Sequence, residues 1–160
     1  MTVFFNDLYK MFELAKQQFL DAGRDDLASW AEMELSGYPK DIRVPAYRTV
    51  VAQARGTVSN DAGVIDDFLL PVWHLAGDWA HEDLRSPLHQ LVAGIGSSDV
   101  CFRQPIENDT LSLFTRGLRL GNNSRVIAAW WQVEATQLSL LAEGARTQLQ
   151  RALVALDETG

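Results

Sequence analysis

The C-terminal run of this chain constrains its fold most. Ala135, Leu138, Ala142, Ala145, Leu149, Ala152 and Leu156 recur at alternating spacings of three and four. At 100° per residue these positions fall on one stripe, so the run reads as a long helix. Its seam is narrow and rich in Ala. Small residues let a second helix approach closely. Two uses fit such a seam: packing on a helical hairpin of the same chain, which is the default, and a homodimer interface. The seven residues are therefore the interface candidates.

A partner hairpin is visible at the other end. Leu8, Phe12, Ala15, Phe19 and Ala22 form one apolar face, with Asn6 or Asp7 placed to cap the helix and Gly23 to end it. Asp25 or Asp26 can cap a second helix that runs to about Ser36, with Gly37 at C′ and Pro39 beyond. So short a connection implies an antiparallel pair.

The middle of the chain has a different texture. Residues 47–58, YRTVVAQARGTV, are rich in Val and Thr and lack Pro, which predicts a strand. Arg48, Val50, Ala52, Ala54 and Val58 lie on one of its faces. Asn60, Asp61 and Gly63 signal a turn, and Pro71 interrupts FLLPVWHL, so no continuous helix is expected there. Ser86 and Pro87 resemble an N-cap and an N1 proline before a short helix through Leu88, Leu91, Val92 and Ile95, closed by Gly94 and Gly96. A strand near 99–104 and a turn at Gly121-Asn122-Asn123 follow. Residues 126–133, VIAAWWQV, fit strand or helix when read alone.

A chain of 160 residues fits one domain, 1–160. At that size it buries roughly two thirds of its extended surface and needs no metal or disulfide to fold. Its net charge of −7 repels phosphate backbones, so nucleic acid is not an expected partner. Arg103, Arg116, Arg119 and Arg125 are interrupted by acids and read as solvated surface. The single cysteine, Cys101, sits between Val100 and Phe102 and reads as a buried thiol in a strand. MTVFFNDLYKMFELAKQQFL has no basic start and no unbroken apolar run, so neither a signal peptide nor a membrane span is expected, and the cytoplasm is the expected compartment.

Catalytic signatures are sparse. His74, Asp78 and His81 would share a face only on a helix, which Pro71 and Gly77 oppose; no metal site is expected. Glu82 and Asp83 neighbour His81, but adjacent residues point to different sides and no nucleophile accompanies them. There is no G-x-G-x-x-G, Walker A or G-x-S-x-G motif. Trp130 and Trp131 read as core anchors, with a stacking platform as the alternative. An enzyme is therefore not the expected class, and no catalytic residue or cofactor is expected.

Residues 30–48, WAEMELSGYPKDIRVPAYR, hold the one unusual constellation. Leu27, Trp30, Ala31 and Glu34 share a helix face, so Glu34 points into the apolar stripe. Arg48 lies on the apolar strand face. A carboxylate placed so needs a partner, and Arg can answer it with two hydrogen bonds. The expectation is a Glu34–Arg48 pair, completed by the Tyr38 and Tyr47 hydroxyls, that fixes the hairpin against a sheet. With Trp30 these residues are the binding or structural-lock candidates.

The same stretch carries a resemblance. W-x-x-x-E-L-x-G-Y-P followed by P-x-Y-R, here Trp30, Glu34, Leu35, Gly37, Tyr38, Pro39, Pro45, Tyr47 and Arg48, resembles the signature of AbiTii domains of bacterial abortive infection. RQPI at Arg103–Ile106 and the closing LLAEGARTQLQRALVALDE, with Arg146, are similar to later segments of that family. The resemblance implies an α+β fold: an N-terminal helical hairpin and a long C-terminal helix packed on a small, mainly antiparallel sheet, with 126–133 a strand. It also implies a non-catalytic antiviral module that regulates, senses or binds protein. Its partner would be another defence-system protein or a fused effector domain. A small-molecule or nucleotide sensor is the alternative, and a small nuclease or nucleotide hydrolase ranks behind it.

Overall fold

The computed structural model describes residues 7–93, 95, 102–121 and 123–159. Asn6, Gly94, Gly96, Val100, Cys101 and Asn122, each assigned a role above, lie outside these. In chain order the elements are α1 (Leu8–Asp21), α2 (Asp25–Ser36), a 3₁₀ turn (Ala46–Arg48), β1 (Thr49–Val51), β2 (Gln53–Asn60), β3 (Gly63–Leu69), β4 (His81–Asp83), α3 (Leu88–Val92), β5 (Phe102–Pro105), a second 3₁₀ turn (Asn108–Thr110), α4 (Leu111–Thr115), β6 (Arg125–Val133) and α5 (Ala135–Thr159). The fold is α+β, as expected. No helix among the described residues is long and apolar enough to cross a membrane.

The chain divides into two compact units, each built from separate segments. The first comprises Met1–Val50, Asp83–Val100 and Ala135–Gly160. Within it, Leu8, Phe12, Ala15 and Phe19 of α1 are buried, as the periodicity requires. After Ala22 the chain reverses, with the Gly23 and Arg24 amides donating to the Leu20 and Phe19 carbonyls. That hydrogen-bond pair closes a helix end without leaving its last carbonyls orphaned. Asp25 and Asp26 fall in the first turn of α2, where their charge suits the helix dipole, while Arg24 occupies the cap position. Both α1 and α3 pack on α5, and so does the first 3₁₀ turn. Leu138, Leu141, Ala142, Ala145 and Leu149 of α5 are buried by this packing, whereas Ala152 and Leu156 stay half-buried. The central part of the Ala-rich seam is thus occupied within the chain.

The second unit comprises Val51–Glu82 and Cys101–Glu134. Its four-stranded sheet has the order β3-β2-β6-β5, all neighbours antiparallel. β2 and β3 join through Asp61 and Ala62, where the Asn60 side chain accepts from the Ala62 amide. Such an Asx turn is why Asn recurs at tight connections. Residues 125–133 form a strand, which periodicity alone left open. Trp131 stacks on Trp79 at 5.7 Å, and Trp79 meets Phe114 edge-on at 5.3 Å. Trp130 lies on the opposite face of β6, beneath the Arg103 guanidinium at 4.7 Å.

The single strand expected over 47–58 is two strands in two sheets. β1 pairs with β4, whereas β2 belongs to the four-stranded sheet, and Ala52 separates them. Alternation of burial nevertheless runs unbroken from Arg48 to Val58. Side-chain alternation reports local backbone extension, not which strand lies alongside.

Candidate functional site

The site centres on Glu34, in the last turns of α2. Trp30 and Ala31 precede it on the same buried face. Gly37 ends the helix at φ 106°, a conformation that L side chains rarely adopt. A Cβ there would also lie 3.2 Å from the Arg85 carbonyl oxygen. This turn sends Tyr38 back toward Glu34. The Tyr38 amide donates to the Arg85 carbonyl at 2.8 Å, and Arg85 Nη1 donates to the carbonyls of Pro39 and Ile42. Arg85 thereby holds the 37–42 turn, a role that sequence reading missed. Its partners are more than forty positions away, beyond any local pattern.

Arg48 arrives from the first 3₁₀ turn. Its Nη2 donates to Glu34 Oε1 at 2.6 Å and its Nε to Oε2 at 3.1 Å. Nη1 donates to the carbonyls of Leu84 at 2.8 Å and Ser86 at 2.7 Å. Its guanidinium carbon also lies 4.7 Å from the centre of the Tyr38 ring. Both Glu34 and Arg48 are 0% exposed. The Tyr38 hydroxyl donates to Oε2 at 2.5 Å, the Tyr47 hydroxyl donates to the same oxygen, and Trp30 Nε1 donates to the Tyr47 hydroxyl at 3.0 Å. All five lock candidates therefore meet in one hydrogen-bonded cluster. A Lys at position 48 could not serve both carboxylate oxygens and two carbonyls in one plane.

Two details of the expected pair differ: where Arg48 stands, and what the lock fixes the hairpin against, which is not a sheet. Arg48 stands in a 3₁₀ turn, not on a strand, and the lock ties α2 to that turn and to Leu84–Ser86. Pro45 starts the turn, and the Arg48 amide donates back to the Pro45 carbonyl at 2.9 Å. Burial pushes the phenols of Tyr38 and Tyr47 well above the ordinary tyrosine range, and the Glu34 carboxylate beside them adds to the effect. Both hydroxyls therefore stay protonated as donors. Every oxygen of the Glu34 carboxylate is engaged and shielded from solvent, so the group is placed to hold segments together, not to accept a substrate proton.

Gly144 of α5 completes the enclosure. A Cβ at this position would lie 2.5 Å from Tyr47 Cβ and 3.0 Å from its Cγ. The helix backbone thus rests directly on the Tyr47 side chain. Ordinarily Gly→Ala within a helix stabilises by about 1 kcal/mol. Here overpacking of about 1–3 kcal/mol opposes that gain. Gly144→Ala should lower the melting temperature by a few degrees, whereas Glu143→Ala on the exposed side should leave it unchanged; differential scanning calorimetry checks both.

The remaining candidates separate. His74 Nε2 bonds to the Leu113 carbonyl at 2.7 Å, and His81 Nδ1 meets Asp78 at 3.1 Å. They share no helix face, because residues 74–81 form no helix. Among the described residues, no group of three or more His, Cys, Asp or Glu is placed to hold a metal ion. Thr49 donates to Asp83 at 2.6 Å, and Gln104 reaches Glu82 at 3.4 Å.

Comparison with protein families gives a match to the AbiTii model over residues 16–160. Comparisons with curated proteins and with solved structures give no match. The matched span includes all five residues of the lock. The chain belongs to the AbiTii family, whose name points to abortive-infection defence against phage.

Proposed function

We propose that this chain is a non-catalytic module of abortive-infection defence, acting in the cytoplasm by regulation, sensing or protein contact. One observation carries the reading. The most unusual acid and base in the sequence, Glu34 and Arg48, are 0% exposed and bind each other. Chemistry needs a group that substrate can reach, and this pair instead orders the first unit. The partner is another protein of the defence system or an effector domain fused to this one.

Phage plating on cells that carry the intact system tests the proposal. His81→Ala and Asp78→Ala change exposed titratable groups and should leave protection at the wild-type level. Variants that weaken the lock should lose protection in step with their loss of folded protein. Turnover of nucleotide or nucleic acid by the purified chain that His81→Ala or Asp78→Ala abolishes at unchanged melting temperature would sink the non-catalytic reading.

The alternative, a small-molecule sensor, gains nothing at the lock, where Tyr38 and Trp30 are only 6% and 8% exposed. A cleft in the second unit is what favours it.

A further inference from the structure

We infer that the cleft between residues 68–73 and 117–120 binds a small amphiphilic anion, an apolar body carrying one carboxylate or phosphate group. The cleft has a volume of about 420 Å³, inside the range of roughly 300–1,000 Å³ typical of small-molecule sites. Phe68, Leu69, Val72, Trp73, Leu118 and Leu120 give it apolar walls. Trp73 is 66% exposed and Leu69 55%. Apolar side chains gathered this openly in one concavity mark a place where something is buried.

The walls are built, not draped. His74 meets the Trp73 ring edge-on at 5.2 Å. Its Nε2 contacts the Leu113 carbonyl oxygen, which can only accept, so the proton resides on Nε2. The same imidazole lies against Gly117, where a Cβ would stand 2.2 Å from His74 Cε1. His74 therefore pins the segment bearing Trp73 to the segment bearing Leu118 and Arg119, and so holds the cleft open at a set width.

Arg119 supplies the headgroup chemistry. It is the cation among the cleft residues, and its guanidinium carbon lies 4.9 Å from the centre of the Trp73 ring. Among the described residues no acid pairs with it within salt-bridge distance. A guanidinium held over an indole face with no acid paired to it has N–H donors left for a carboxylate or a phosphate. Charge complementarity at one end and apolar walls along the rest together select an amphiphilic anion over a neutral apolar molecule or a bare ion.

This inference gives the sensing side of the proposed function a place on the molecule. Its test uses purified chain without phage, so its failure and the failure of the plating assay are separate results. The Trp73 indole resonance, assigned with Trp73→Phe, is followed by NMR while the chain is titrated with octanoate, octyl phosphate or octan-1-ol. Saturable shifts are expected with the anions, at least one binding about tenfold more tightly than the alcohol, as one charge-assisted contact allows. Which anion binds more tightly identifies the headgroup. Arg119→Gln should bring the anions down to the level of the alcohol while leaving the alcohol and the other indole resonances unchanged. Arg119→Lys should retain part of the preference. Equal affinities for anion and alcohol, an anion preference that survives Arg119→Gln, or no saturable shift would overturn the inference. A shift that depends on protein concentration without ligand would also overturn it, in favour of a second copy of the chain as occupant.

Discussion

Glu34→Ala and Arg48→Ala should each destabilise the protein by about 3–5 kcal/mol, because removing one member of a buried pair strands the other. For a chain of this size that corresponds to a fall in melting temperature on the order of 10 °C. The stranded groups differ. Without Arg48, Glu34 keeps the two tyrosine donors but faces no cation. Without Glu34, Arg48 keeps two carbonyls, while Tyr38 and Tyr47 lose the acceptor they share. Arg48→Lys should recover only part of the loss, since one ammonium cannot span both the carboxylate and the carbonyls. The informative variant is the double change Glu34→Leu with Arg48→Met. Replacing both charges by apolar groups of similar volume should cost far less than the sum of the single changes. A double-mutant cycle by urea denaturation, with Glu34→Leu and Arg48→Met as its single variants, measures this coupling. Additive single and double effects would mean that the pair does not act as a unit.

Stability should fall steeply above about pH 10, and Tyr38 and Tyr47 should account for much of the slope. Tyrosines in the unfolded chain ionise near pH 10. In the folded chain both are held protonated beyond that, chiefly by burial and then by the Glu34 carboxylate. Above pH 10 the unfolded state therefore binds fewer protons than the folded one, so unfolding is favoured as pH rises. Below pH 10 the contribution is fully present. Between pH 9 and 11, as the unfolded-state phenol passes through its pKa, each tyrosine should add about 1.4 kcal/mol to the loss in total, or about 2.7 kcal/mol for both. Urea denaturation between pH 9 and 11 measures the slope. Tyr38→Phe and Tyr47→Phe should each remove one share of it while lowering stability at neutral pH through the lost hydrogen bond. If the double Phe variant keeps the wild-type slope, these phenols do not govern alkaline unfolding.

The lock was legible because two charges stood where periodicity calls for apolar residues. Glu34 sits on the face of Trp30 and Ala31, and Arg48 shares its alternation with Val50, Ala52 and Ala54. Burying a lone charge costs so much that such placements imply a partner. The helical spans were legible for a similar reason. Leu8–Asp21, Asp25–Ser36 and Ala135–Thr159 each carry an apolar stripe long enough to outweigh local ambiguity. By contrast, VIAAWWQV was too short for its period to speak, and family resemblance decided it as a strand.

Other features had no sequence signal. Arg85 and Gly144 look like an ordinary surface cation and an ordinary helix defect. Only the approach of Pro39 and Ile42 to the first, and of Tyr47 to the second, gives them their roles. Likewise, nothing in FLLPVWHL or GLRL announces a cleft, because its walls come from segments more than forty positions apart.

The sequence by itself determined the hairpin, the long final helix, the buried acid–base pair and the AbiTii family. Each of these rests on local periodicity, on a local motif, or on a charge whose burial no other arrangement could support. Tertiary structure decided that Arg48 reaches Glu34 from a 3₁₀ turn and that the stretch from 47 to 58 divides between two sheets. It also decided that Trp73 and Arg119 meet at one cleft. The physical reason is that hydrogen-bond partners and pocket walls are chosen by long-range closure of the chain. That closure depends on all the packed surfaces together and leaves no periodic mark on any one segment.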